Sequence, residues 1–180
     1  MDDRHSILDQ GAALQLQLQP CRPLVQVGFW RGARGAAALR LAEALAFEMP
    51  ADGRQVAGFP DGWAYRIAPD RLLLLSDRAR PLLQECRSAV GQDGAVSDIG
   101  HAKRILDLDG SEAVSLLTRG IAIDLGPAGL TPGAFAQTRL HDASILVHRL
   151  SPERFRLLIP TSFAAALVDW FVESWAMMQY

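Results

Sequence analysis

Residues 65–75, YRIAPDRLLLL, return as residues 148–158, HRLSPERFRLL, at an offset of 148 − 65 = 83. Arg66, Pro69, Arg71, Leu74 and Leu75 are identical to Arg149, Pro152, Arg154, Leu157 and Leu158. Asp70 against Glu153, Ile67 against Leu150 and Leu72 against Phe155 are conservative. Each copy reads as strand, turn, strand and the start of a helix. Proline presets the turn and an acid follows it, the chemistry of a type I hairpin turn. Ser76-Asp77 and Thr161-Ser162 end the copies with short polar residues suited to N-cap the following helix. A period near 80 is too long for a solenoid, so two copies imply a split-βαβ unit built twice and packed as one body.

Each half carries further elements ahead of its hairpin. LVQVGFW (24–30) is β-branched and aromatic and reads as a strand, and AAALRLAEALAF (36–47) is a strong helix former. ARPLLQECRSAV (79–90) reads as a second helix. In the second half RILDLD ends a strand, and Asp109 with Glu112 has the spacing of a capping box for the helix SEAVSLLTR, stopped by Gly120. IAIDL, AFAQTRL and SILVHRL read as strands, and 163–178 as the last helix. Gln alternates with Leu in LQLQLQP, so residues 1–23 read as an N-terminal arm or edge strand closed by Pro20 and Pro23. Residues 24–180 read as a single domain of two pseudo-equivalent halves, about 24–99 and 100–180. The expected class is α+β: a duplicated ferredoxin-like (split βαβ) unit with a mainly antiparallel sheet.

Composition narrows the function. Hydrophobic residues are 49% and charged residues 21%, enough apolar surface for a packed core. The net charge of −2 comes with scattered Lys and Arg, which argues against nucleic acid as a partner. No apolar run is long enough to cross a membrane, and MDDRHSILDQ lacks the order of a secretory signal, so a cytoplasmic location is expected. Cys21 and Cys86 have no CxxC partner and read as buried or incidental thiols.

Candidate chemistry is sparse. Gly28, Gly32 and Gly35 in GFWRGARG follow a strand and head a helix, where amides with Arg31 and Arg34 could hold a phosphate. Their spacing departs from GxGxxG, with Trp30 and Ala33 in the glycine slots, and a tight turn explains them equally well. His141 and His148 are seven apart with no carboxylate or cysteine at a metal-ligand spacing, and His148, aligned with Tyr65, reads as hairpin packing. Asp98 beside His101 is a weak acid–base pair, and Asp107 and Asp109 alternate along a strand end. No nucleophile, metalloprotease or P-loop motif occurs, so no catalytic, cofactor-binding or metal residue is nominated.

The last helix carries the remaining signal. Ser162, Ala166, Asp169 and Glu173 form a narrow polar stripe, and the apolar remainder is wider than a helix on one sheet requires. Trp170, Phe171, Trp175 and Met178 therefore form the candidate partner interface, since Trp and Met are enriched in such surfaces.

Residues 132–171, PGAFAQTRLHDASILVHRLSPERFRLLIPTSFAAALVDWF, and the preceding DIGHAKRILDLDGSEAVSLLTRGIAIDL resemble the γ subunit of heterotetrameric sarcosine oxidase. The resemblance spans roughly 60–175 and brings no catalytic signature. It implies a complex that oxidatively demethylates sarcosine, with α and β subunits holding FAD, FMN, NAD and the folate site and a δ subunit holding zinc. It further implies a γ subunit without a cofactor, similar in fold to the folate-binding region of glycine-cleavage aminomethyltransferase. This chain would then be a structural subunit of an oxidoreductase acting on CH–NH donors. Two alternatives stay open: a free-standing folate- or pterin-binding protein, for which Asp98, Arg104 and Arg139 are nominal anchors, and the equivalent subunit of an N-methylglutamate dehydrogenase.

Overall fold

The computed structural model describes residues 5–51, 53, 55–126 and 128–179. The chain divides into two compact units: Arg22–His101, and the stretch ending at Cys21 joined with the residues from Ala102 onward. Where the sequence reads an arm, the structure has a hairpin of β1 (His5–Asp9) and β2 (Gln15–Leu18), and β2 is an interior strand of the second unit's sheet. The Gln/Leu alternation is what a strand with one core face requires: Leu14 and Leu16 are fully buried.

The first unit runs β3 (Leu24–Phe29), α1 (Arg34–Leu45), β4 (Val56–Phe59), β5 (Gly62–Ala68), β6 (Arg71–Ser76), α2 (Leu82–Val90) and β7 (Gly94–Asp98). Its sheet has the order β4-β5-β6-β3-β7, and every pairing is antiparallel. α1 lays Ala37, Ala38, Leu41, Ala42 and Leu45 on the sheet, the i, i+4, i+8 spacing of one helix face. It ends at Ala46, whose left-handed backbone (φ 55°) turns its N–H back to the Ala42 and Glu43 carbonyls.

The second unit continues with β8 (Lys103–Asp109), α3 (Ala113–Thr118), β9 (Phe135–Leu140), β10 (Ala143–Arg149), β11 (Arg154–Pro160) and α4 (Ala164–Met178). Its antiparallel sheet has the order β1-β2-β8-β11-β10-β9. Leu157 and Phe155 on β11, Leu106 and Leu108 on β8, and Leu167 and Phe171 on α4 meet in one core. Fully burying each such side chain contributes about 2 kcal/mol.

The repeat extends to register. Tyr65 faces Leu73 and Leu73 faces Gln26, while His148 faces Arg156 and Arg156 faces Asp107. Phe29 N–H donates to the Asp70 carbonyl as Gly110 N–H donates to that of Glu153. Strand for strand, β4-β5-β6-β3-β7 matches β9-β10-β11-β8-β2, with the last strand of the second unit supplied from the N-terminal side. The repeated arginine does the same work twice. Arg66 donates to the carbonyls of Pro50, Ala51 and Pro69, and Arg149 to those of Leu125, Leu130 and Pro152. Each pins its own hairpin turn and the loop before the edge strand.

Three local expectations are corrected. Neither Ser76-Asp77 nor Thr161-Ser162 caps a helix: α2 starts behind Pro81 and α4 behind Phe163, without side-chain caps. Ser76 Oγ instead binds the Asp61 and Arg78 carbonyls, and Asp77 accepts from Trp63 Nε1 at 3.2 Å. The Asp109/Glu112 capping box does not form, because Asp109 ends β8 and lies 3.8 Å from Arg154 on β11. IAIDL is not a strand beyond a single bridge from Ile121 to Leu140. Its carbonyls are taken outside a ladder, with Leu130 N–H donating to the Asp124 carbonyl and the Arg149 guanidinium to the Leu125 carbonyl.

Candidate functional site

The four residues nominated on α4 separate into two pairs. Phe171 is fully buried and Trp175 is 6% exposed, both in the second unit's own core, so neither is offered to a partner. The reason is geometric: Leu167, Phe171 and Trp175 recur every fourth residue and form the face laid on the sheet. Trp170 and Met178 are half-buried at the margin of that face. Trp170 stacks edge-on against His141 and Phe171, each with ring centroids 4.9 Å apart. Gly120 makes room for it, since a Cβ there would lie 2.7 Å from the Trp170 ring and 2.4 Å from Leu140 Cδ1. Gly120→Ala is therefore expected to displace Trp170, and its indole fluorescence is the measurement that checks this. The solvent face carries Ala165, Ala166, Asp169, Glu173, Ala176 and Met177, with Met177 65% exposed and Phe163 before it 40% exposed. The polar stripe read from sequence falls on that face. The apolar surface a partner can reach belongs to Phe163, Trp170, Met177 and Met178.

A buried polar row crosses the second sheet, and sequence reasoning passed over it. His148, Arg156 and Asp107 oppose one another on β10, β11 and β8. Arg156 Nε and Nη2 donate to the two Asp107 carboxylate oxygens at 2.8 and 2.9 Å, a bidentate pair with both side chains at or below 10% exposure. The counterparts in the first unit are Tyr65, Leu73 and Gln26, so only this copy buries charge. Burial first, and the Arg156 charge second, push the His148 imidazole down to about 4, with Asp107 partly opposing. A histidine whose folded pKa lies below its unfolded value of about 6.5 gives stability that is whole above that value and lost as pH falls toward 4. Between pH 7 and pH 5 the loss from this group is about 2 kcal/mol. His148→Gln is expected to flatten that part of the stability–pH curve, measured by urea titration; an unchanged slope would sink the assignment.

The remaining sequence candidates do not converge. Gly28 lies in β3 and Gly35 in α1, while Gly32 has φ +97°, a conformation glycine adopts without strain. Arg34 lines a small pocket with Arg66 and Arg71 above Phe29, Met49 and Leu72, but Arg66 is committed to three carbonyls. Arg31 is exposed. The Asp98 carboxylate accepts from Gly100 N–H at 2.9 Å. Arg104 donates to Cys21 Sγ at 3.1 Å on β8, and Arg139 pairs with Asp142 on β9, two intervening strands away. Cys86 is buried and its thiol is pushed up to about 12, chiefly by burial. Cys21, read as buried or incidental, is exposed. Among the described residues no three His, Cys, Asp or Glu side chains group as a metal site, and no helix is long and apolar enough to cross a membrane.

Two antiparallel sheets with the same strand order, helices packed on each, and a site that is surface and buried scaffold define an α+β fold also seen in aminomethyltransferases. Aminomethyltransferase T of the glycine cleavage system from Bartonella henselae superposes with a TM-score of 0.59 at 17% identity, over 84% of this chain and 43% of that one. A chain of the heterotetrameric sarcosine oxidase from Corynebacterium sp. U-96, solved with pyrrole 2-carboxylate, superposes with a TM-score of 0.87 at 23% identity, over 96% of this chain and 89% of that one. No family model matches the sequence. The sarcosine oxidase subunit gamma of Corynebacterium sp. strain U-96 is 30% identical over 145 residues, covering 79% of this chain and 70% of that subunit. The chain belongs to the family of sarcosine oxidase gamma subunits.

Proposed function

We propose that this chain is the non-catalytic structural γ subunit of a cytoplasmic heterotetrameric sarcosine oxidase. The observation that carries the reading is the 30% identity to a sarcosine oxidase subunit gamma across 79% of the chain. In this reading the chain holds no cofactor. FAD, FMN, NAD, folate and zinc belong to the α, β and δ partners, and the chain contributes shape and contact surface. Phe171 and Trp175 anchor α4 from within, while Trp170, Met178, Met177 and Phe163 supply the apolar contacts to a partner. The body is a duplicated ferredoxin-like unit. The matching strand orders and the repeated Arg66/Arg149 pins support that reading. Affinity purification of the tagged chain from its native cells grown on sarcosine tests the function. Co-purifying large yellow subunits that oxidise sarcosine are expected; a colourless chain eluting alone would refute the reading.

A further inference from the structure

The two sheets differ at one position. In the second unit β2 is flanked on its outer side by β1, whereas the matching strand of the first unit, β7, is an edge with no sixth strand among the described residues. The match is one of register. Ser97 faces Gln26 as Gln17 faces Asp107, and Ile99 N–H donates to the Leu24 carbonyl as Gln19 N–H donates to that of Ile105, both at 2.9 Å. Backbone groups alternate sides along an antiparallel ladder. Ile99, and Asp93 through Trp30 N–H, bond toward β3, so Ala95 and Ser97 do the same. The N–H and C=O groups of Gly94, Val96 and Asp98 therefore point outward. The counterparts of Val96 and Asp98 are Leu16 and Leu18, which pair with Leu8 and His5 of β1.

We infer that the outer edge of β7 docks an extended segment of a partner subunit, added as an antiparallel strand where β1 stands in the sister sheet. The inference rests on the subunit reading above. Ala95, Ser97 and Asp98 are exposed, and Val96 is half-buried against the first core. The fitting segment places an apolar residue opposite Val96 and a Lys or Arg opposite Asp98, because opposite charges across strands stabilise the pair. A second copy of this chain fits worse. Pairing β7 with itself about Val96 sets each Asp98 against Gly94, leaving both carboxylates without a cation. Main-chain bonds give such a joint its affinity and alternate side chains its selectivity.

Residue-resolved hydrogen exchange on this chain, alone and co-expressed with the large flavin-bearing subunits from the same cells, reads the edge directly. The amides of Gly94, Val96 and Asp98 should exchange quickly in the free chain and slow at least tenfold in the complex, while Ala95 and Ser97 are protected in both. Val96→Pro removes one outward donor without touching the bonds to β3, which edge strands tolerate; Val96→Ala keeps the donor. Val96→Pro should lower the yield of complex at least tenfold and Val96→Ala less than twofold. A complex that forms while the three amides still exchange freely overturns this inference alone. Failure of the unaltered chain to join any flavin subunit overturns the subunit reading and this inference with it. If Val96→Pro does not fold, the exchange pattern of the unaltered chain decides.

Discussion

Asp107→Ala and Arg156→Met, made singly, are each expected to lower the free energy of unfolding by about 3–5 kcal/mol, because each strands a buried charge. Both side chains lie at or below 10% exposure, and both carboxylate oxygens are taken by one guanidinium. Removing the acid leaves a buried cation without the carboxylate that neutralises it; removing the base does the converse. Replacing both, Asp107→Leu with Arg156→Met, is expected to recover most of the loss, since exchanging a whole buried pair for apolar side chains is often neutral or stabilising. The first unit supports this: its counterparts, Gln26 and Leu73, carry no charge at the same register. Arg156→Met should also relieve His148, whose pKa of about 4 is held down second by that guanidinium, so its titration should move toward the ordinary value while burial keeps it low. Urea titration of the three variants beside the unaltered chain, with the imidazole followed by NMR, checks both. Single losses near 1 kcal/mol would mean the row is more hydrated than its burial indicates.

The parts of this fold that were legible in sequence are those where adjacent residues set the geometry. Arg66-x-x-Pro69 and Arg149-x-x-Pro152 are local signatures, and both hairpins stand where the repeat predicts them. The Ala- and Leu-rich run of α1 is likewise a local matter. What sequence missed depends on distant partners. Asp109 has the spacing of a cap, but it is paired with Arg154 on one side and Gln15 on the other and so belongs to the end of β8. IAIDL has the composition of a strand, yet a side chain 24 residues later takes the Leu125 carbonyl and folds the segment into a loop. Residues 14–18 alternate like an edge strand, and only the pairing of Leu16 with Leu108 places them inside a sheet. For the candidate site, the width of the apolar surface on α4 was readable, but which of Trp170, Phe171, Trp175 and Met178 faced inward was not. That depends on where the sheet lies, and the period alone does not state it.

Arg149→Met is expected to cost about 3 kcal/mol and Arg66→Met about 1 kcal/mol, a contrast that separates shape from chemistry in the repeat. Arg149 is 9% exposed and donates to three carbonyls at 2.7–2.8 Å, two of them in the loop that covers the second core. Its guanidinium lies 5.2 Å from the Phe155 ring, which adds a favourable contact that a thioether replaces only in part. Without it the Leu125 and Leu130 carbonyls lose their donor beneath a loop whose side chains are core residues. Arg66 makes the same three kinds of bond from a half-exposed position, where water can replace them. Arg149→Lys should lie between, at about 2 kcal/mol, because an ammonium cannot reproduce the planar fork that spans the loop and the turn together. Amide exchange at Gly129 and Leu130 gives a local readout, and in Arg149→Met both should open well below the global unfolding free energy. Equal losses at both arginines, with no local opening, would mean that the repeated residue serves each hairpin alone and that the loop is held by its leucines.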